Sequence, residues 1–230
     1  MLSNLGTIRH GQGRLKEALD AKERALAILR GIVTVDETER TLTGIGLVHL
    51  DAGRHSQARA AFTDALDLAR QAGELRREVG PLLGLARLEL ALGRPRQSVE
   101  QLDAVLALAT STGERLEEAE TLVTLAEAYG ALGEHERALR VAQSAEGPAT
   151  LEARARAAQA AACLGLGQAE RGADLAVQAS RTQRDTSQWL ARSRTLLILA
   201  CARHLAGDPH RARRHWTRAR RLRTLLERAF

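Results

Sequence analysis

Along the 230 residues, apolar side chains recur at helical spacing in blocks divided by glycines. Six of these, Gly13, Gly53, Gly93, Gly133, Gly167 and Gly207, stand 40, 40, 40, 34 and 40 residues apart. The residues around them align in columns. Seven before the glycine are Gly6, Gly46, Ala86, Ala126, Ala160 and Ala200. Five after it are Ala18, Ala58, Ser98, Ala138, Gly172 and Ala212, and twelve after it Ala25, Ala65, Val105, Ala145, Ala179 and Ala219. Seventeen of these 18 positions carry Gly, Ala or Ser, which form only roughly a third of the chain, so a repeat and not composition fills the columns. Eleven before the glycine the residue is large: Leu2, Leu42, Leu82, Leu122 and Leu196. Two helices per copy follow from this pattern. Small residues let antiparallel helices nest closely, and the glycine supplies the left-handed residue that ends the first helix. Asp208-Pro209 reads as an N-cap followed by proline at the first helical position.

Composition agrees with helices and excludes much else. Aromatics are 2% of the chain, too few for a β-sandwich, while Ala, Leu, Arg and Glu favour helix. Two cysteines cannot form a disulfide framework, which points to a reducing interior. No apolar run approaches the length of a membrane span and no leader pattern opens the chain, so a cytoplasmic protein without membrane contact is expected. Catalytic signatures are missing: there is no Gly-Lys dipeptide for a phosphate loop, no HExxH and no GxSxG. The seven histidines are scattered, with His10, His49 and His204 on first helices and His55, His135, His210 and His215 at second helices. Cys163 and Cys201 read as packing thiols. No enzyme, cofactor or metal site is expected.

These columns resemble the tetratricopeptide repeat (TPR). Leu5-Gly6, Ile45-Gly46, Leu85-Ala86, Leu125-Ala126 and Leu199-Ala200 match its seventh and eighth positions. Tyr129 matches the aromatic eleventh, and Phe62 and Trp216 the aromatic twenty-fourth. The resemblance implies an all-α, right-handed α-solenoid of about six helix-turn-helix repeats: 1–36, 37–74, 75–114, 115–148, 149–184 and 185–230. The period is mostly 40 rather than the usual value of about 34, which lengthens the helices. The fifth copy is irregular, with Arg156 and Gln159 at apolar positions, Gly172 for Ala, and Gly147-Pro148 before it, so a bend or weak interface is expected there. Met1 falls at the third position of the first copy with no N-cap ahead, the pattern expected of a fragment of a longer chain.

In the TPR geometry, several first-helix positions line a concave groove that takes a protein or peptide. Here they carry Thr43, Leu47, Leu50 and Asp51, then Leu83, Arg87, Leu90 and Ala91, then Glu120, Val123, Glu127 and Gly130. The sixth copy contributes Arg194, Leu197, Cys201 and His204. Leu47, Leu50, Leu83 and Leu90 read as apolar on a face that internal packing does not need, suited to an amphipathic helix or an extended peptide. Arg87 and Glu127 would set its orientation, and self-association is an equal use of such a face. The Lys and Asn of chaperone-tail clamps are replaced by Ser3/Thr7, Thr43/Leu47 and Leu83/Arg87, which argues against that ligand.

Charge is unevenly distributed. From Ala191 onward there are 11 Arg against Asp208 and Glu227, while the first 190 residues carry a net −3 within the total of +6. From Arg211 to Arg228, Ala212, Trp216, Ala219, Leu222 and Leu226 form an apolar stripe under an arginine-rich face. Arg213, Arg214, Arg220 and Arg221 are possible anionic contacts, but charge runs are usually solvated, so direct nucleic-acid binding by this segment is not expected. The form LxxLGxxxxxxGRxxEA in an Ala/Arg-rich context resembles the C-terminal arrays of large actinobacterial transcriptional regulators, the antibiotic-regulatory (SARP) and NB-ARC-type ATPase families. That implies a sensor or regulatory arm. A stand-alone adaptor or assembly scaffold and a cytoplasmic signalling-peptide receptor are the alternatives.

Overall fold

The computed structural model describes residues 1–31 and 35–228, except the side chains of residues 35 and 226–228. Leu226, placed on the apolar stripe by sequence, therefore lies outside the described side chains. Twelve helices follow one another among the described residues. They are α1 (Leu2–Gly11), α2 (Leu15–Leu29), α3 (Val35–Asp51), α4 (His55–Ala72), α5 (Val79–Ala91), α6 (Pro95–Thr112), α7 (Arg115–Ala131), α8 (His135–Ser144), α9 (Ala149–Gly165), α10 (Ala169–Asp185), α11 (Trp189–Leu205) and α12 (Pro209–Arg228). A short 3-10 turn, Leu75–Glu78, leads into α5. The fold is an all-α solenoid of helix pairs. Two compact units divide it: Met1–His10 with Arg14–Thr121, and Gly11–Gly13 with Leu122–Phe230.

Each helix pair turns at its glycine. Gly13, Gly53, Gly93, Gly133, Gly167 and Gly207 have φ between 71° and 80°, the left-handed region open to a residue without Cβ. The next residue donates its backbone N–H to the carbonyl five back, as in Arg54 to His49 at 2.8 Å and Gln168 to Cys163 at 2.8 Å. This is the Schellman closure, which satisfies carbonyls left over at a helix end. Asp208 caps α12 as its sequence suggests, its Oδ1 accepting the Arg211 N–H at 2.9 Å.

All eighteen positions of the three small-residue columns are buried. In the column after the glycine, Ala18, Ala58 and Ser98 are fully enclosed, and the Ser98 hydroxyl donates to the Ala86 carbonyl at 2.8 Å. Within the first unit one aromatic side chain exploits this closeness. Phe62 on α4 is fully buried between Gly46 on α3 and Gly84 on α5. A Cβ at Gly46 would stand 2.5 Å from the Phe62 ring, and one at Gly84 would also collide with it. Lys22 takes the corresponding seat in the first copy, between Gly6 and Gly44. Only 3% exposed, it donates to Thr7 Oγ1 at 3.1 Å. Burial, and then Arg40, hold its ammonium below the ordinary value of 10.5.

In the second unit, Leu196 and Leu199 of α11 pack against Ala160, Ala173, Ala176, Ala202 and Ala219. The irregular residues of the fifth copy all find partners. Gln159 Nε2 donates to the Ala142 carbonyl at 3.0 Å, Arg156 pairs with Glu152 at 3.0 Å, and Gly172 lies close under the Ala160 carbonyl. Trp216 departs from the sequence reading. It is 47% exposed rather than part of the buried stripe, and the Arg220 guanidinium stacks on it at 4.7 Å. Phe62 is covered by Gly84 of the following copy, and the described residues offer Trp216 no such cover.

Phe62→Ala should cost about 3–5 kcal/mol by emptying that seat, and Gly84→Ala about 1–3 kcal/mol by overfilling it. Urea unfolding measures both, and wild-type stability for Gly84→Ala would show that the ring does not occupy this position.

Candidate functional site on the first-helix faces

In the first unit the face read as a groove is largely used by the fold. Leu47 and Leu50 of α3 are half-buried against Ala58, Phe62 and Leu88, together with Leu85 and Leu92. Leu83 is 3% exposed, and Leu90 is half-buried. The reading that internal packing does not need these leucines is corrected here: α5 leans on α3, Leu47 and Leu50 fill that contact, and Leu83 is buried. Thr43 is half-buried and its hydroxyl donates to Glu39 Oε1 at 2.9 Å. In the second unit Val123 is fully buried, while Glu127 is exposed.

The two charges assigned to orienting a peptide are engaged with neighbouring helices. Arg87 Nη2 meets Glu120 Oε2 at 2.8 Å, with only 14% of the arginine side chain exposed. Glu127 Oε1 meets Arg154 Nη2 at 3.4 Å. In both pairs the ninth position of one first helix reaches the second position of the next, with the polarity reversed. His10 Nε2 and Asp51 Oδ2, at 2.8 Å, join α1 to α3 in a similar way. Such pairs align successive copies; each keeps some contact with solvent, which limits what it adds to stability.

The open part of the face lies on α9 and α11 in the second unit. Ala161, Arg194, Leu197, Cys201 and His204 are exposed, Leu197 by 37%, beside half-buried Ala157 and Leu164. Cys201 is thus not the packing thiol its sequence context suggests, whereas Cys163 is buried and its thiol is pushed up by that burial. Helix α11 contains no acidic residue, and the uncovered row is apolar with Arg194 and His204 at its ends. At the fifth and ninth positions of the fifth copy stand alanines, Ala157 and Ala161, where α3 and α5 carry larger residues. A separate open depression of about 520 Å³ at the start of α4 is lined by His55, Ser56, Arg59, Thr63, Asp64 and Leu92. Arg59 is held there by Glu89 at 2.6 Å.

Glu39, beside Thr43, has a perturbed carboxyl group. Burial raises its pKa from 4.5 to about 6, against the Thr43 hydrogen bond and the positive charges of Arg40 and Arg77. On α12, Arg213, Arg214, Arg220 and Arg221 are all exposed. Among the described residues no helix is long and apolar enough to cross a membrane. Nor do three or more His, Cys, Asp or Glu among them converge as a metal-holding group.

A tetratricopeptide repeat family profile matches residues 1–71 and 79–147, more than half of the chain. The chain belongs to the tetratricopeptide repeat family. Among curated proteins no sequence matches. Solved structures share the fold at low identity. The Rap protein complexed with competence and sporulation factor has a TM-score of 0.76 and 12% identity, covering 100% of this chain and 64% of that one. NprR in complex with its cognate peptide NprX has a TM-score of 0.76 and 16% identity, covering 94% of this chain and 64% of that one. BtubC from P. vanneervenii has a TM-score of 0.60 and 17% identity, covering 93% and 92%. The chain therefore spans about two thirds of the length of the Rap and NprR proteins.

Because the fold raises the Glu39 pKa, the native state binds its proton more tightly than the unfolded chain does. Its contribution is present below pH 4.5 and is lost as the pH rises through about 6. Wild type should therefore lose about 1.3 kcal/mol more than Glu39→Gln between pH 4.5 and 6, out of about 2 kcal/mol over the whole titration. Urea midpoints across the range report the difference, and parallel profiles would place the carboxyl in water.

Proposed function

We propose that the chain is a non-catalytic, peptide- or protein-binding TPR module acting as the sensor or regulatory arm of a bacterial transcriptional regulator. The observation that carries the binding role is the uncovered row on α9 and α11: Ala161, Leu197, Cys201 and His204, flanked by Arg194. Apolar side chains left exposed in a row mark an interaction surface, and a groove of this kind holds an extended peptide or one helix face. Of the groove residues read from sequence, Leu83 and Val123 are buried, Arg87 and Glu127 are paired with neighbouring helices, and Thr43 and the exposed edges of Leu47, Leu50 and Leu90 are open to contact.

The regulatory role rests on the likeness of the copies to SARP and NB-ARC-type arrays. A signalling-peptide receptor is the second reading, favoured by the peptide complexes of the Rap and NprR structures that share this fold. Both readings put the ligand on first-helix faces.

Panning a displayed random octapeptide library on the immobilised chain should enrich binders. Leu197→Asp with Cys201→Asp should then weaken them at least about tenfold, or 1.4 kcal/mol, with an unchanged melting temperature. Leu47→Ser and Leu50→Ser should instead lower the melting temperature, because those leucines are packed. No enrichment, or binders indifferent to the α11 changes, would sink the site. For the regulatory arm, an immunoblot of source cells should show a gene product much larger than 230 residues, and a band of this size would remove that reading.

A further inference from the structure

Helix α12 has a face used neither by the fold nor by the proposed groove. Its packed side is narrow: Ala212 and Ala219 are buried, and His215 and Leu222 are half-buried. The remaining surface is mostly arginine, with Trp216 and Leu225 also exposed. At about 100° per residue, Arg214, Arg218 and Arg221 form one row, and Arg213 and Arg220 form a second roughly 120° around the helix. All five are exposed, with Thr217 and Thr224 between the rows.

Arginines elsewhere in the chain are commonly held by carboxylates, as Arg14 is by Glu17, Arg59 by Glu89 and Arg87 by Glu120. On α12, Arg211 pairs with Asp208 at 3.3 Å, and no acid occurs between Arg211 and Leu225. Among the described residues, Arg213, Arg214, Arg218 and Arg221 make no ion pair. Beneath them, His215 is held below its ordinary range by burial, then by Arg203, Arg218 and Arg211, consistent with a positive field over this end of α11 and α12.

We propose that α12 is a docking helix for the phosphate backbone of a nucleic-acid duplex. This goes beyond the peptide-binding reading and is independent of it. It also departs from the sequence expectation that the arginines are merely solvated. The structural reason is their arrangement in two unneutralised rows. An acidic peptide would meet one row, whereas a duplex presents phosphates on both sides of a groove. A helix about 10–12 Å across fits a major groove about 12 Å wide, so one row can face each strand. Thr217 and Thr224 lie toward the groove floor, and because both side chains are short, binding is to the backbone and indifferent to sequence.

The test is fluorescence anisotropy of a labelled 20-base-pair duplex with the full chain, titrated with salt. Five neutralised phosphates predict a slope of log affinity against log salt near −4.5, a loss on the order of 500-fold between about 50 and 200 mM salt. Arg213→Gln, Arg214→Gln, Arg220→Gln and Arg221→Gln together should bring the slope to about −1. Circular dichroism melting of this variant should stay close to wild type, since all four side chains are exposed and the stacking of Arg220 on exposed Trp216 is a surface contact, and octapeptide binding should be unchanged. Three results would overturn the proposal: no binding at low salt, binding that the four substitutions leave intact, or polyglutamate competing as well per charge as the duplex. The last would reassign the face to an acidic protein segment.

Discussion

The structure depends on how closely successive helices can approach. Eighteen positions in three columns set that distance, and every one of them is buried. A larger side chain at any of them would push two helices apart and disturb every later copy, since each pair rests on the one before it. Glycine turns make this spacing repeatable. A left-handed residue followed by the six-to-one backbone bond closes each helix pair in the same way. The core contains few large residues because close approach, rather than side-chain bulk, fills the space.

Where a large side chain does enter, its neighbours give way to it. Phe62 lies between two glycines of different first helices, and Lys22 occupies the equivalent seat one copy earlier. The lysine shows that the seat selects for length and slenderness as much as for apolarity. Its stem fills the slot while its ammonium finds Thr7 and the carbonyl of Ser3. That solution costs desolvation, visible in the lowered pKa. The first copy is therefore held by a polar plug where the second is held by a ring.

The parts of this fold that a sequence can express locally were legible in it. Turn glycines, the Asp208 cap and the small-residue columns each follow from one residue's own conformational or steric limits. The face of a first helix was less legible, because its exposure depends on the side chains of the next first helix. Leu47 and Leu50 look uncovered when α3 is read alone, and become covered once Leu85, Leu88 and Leu92 arrive from the following copy. Trp216 fails for the converse reason. It occupies the same motif position as Phe62, but the described residues bring nothing to lie over it.

The same dependence on neighbours explains where the molecule is open. On α3 and α5, large residues at the groove positions reach across to one another, and the Arg87–Glu120 pair closes what remains. On α9 the corresponding positions are Ala157 and Ala161, and beside them Leu197, Cys201 and His204 of α11 are exposed. Within the second unit the open face lies where one first helix presents alanines, and not where two large-residue faces meet. The packing constraint that tolerates alanine throughout the core thus also supplies the means of opening a site at its surface.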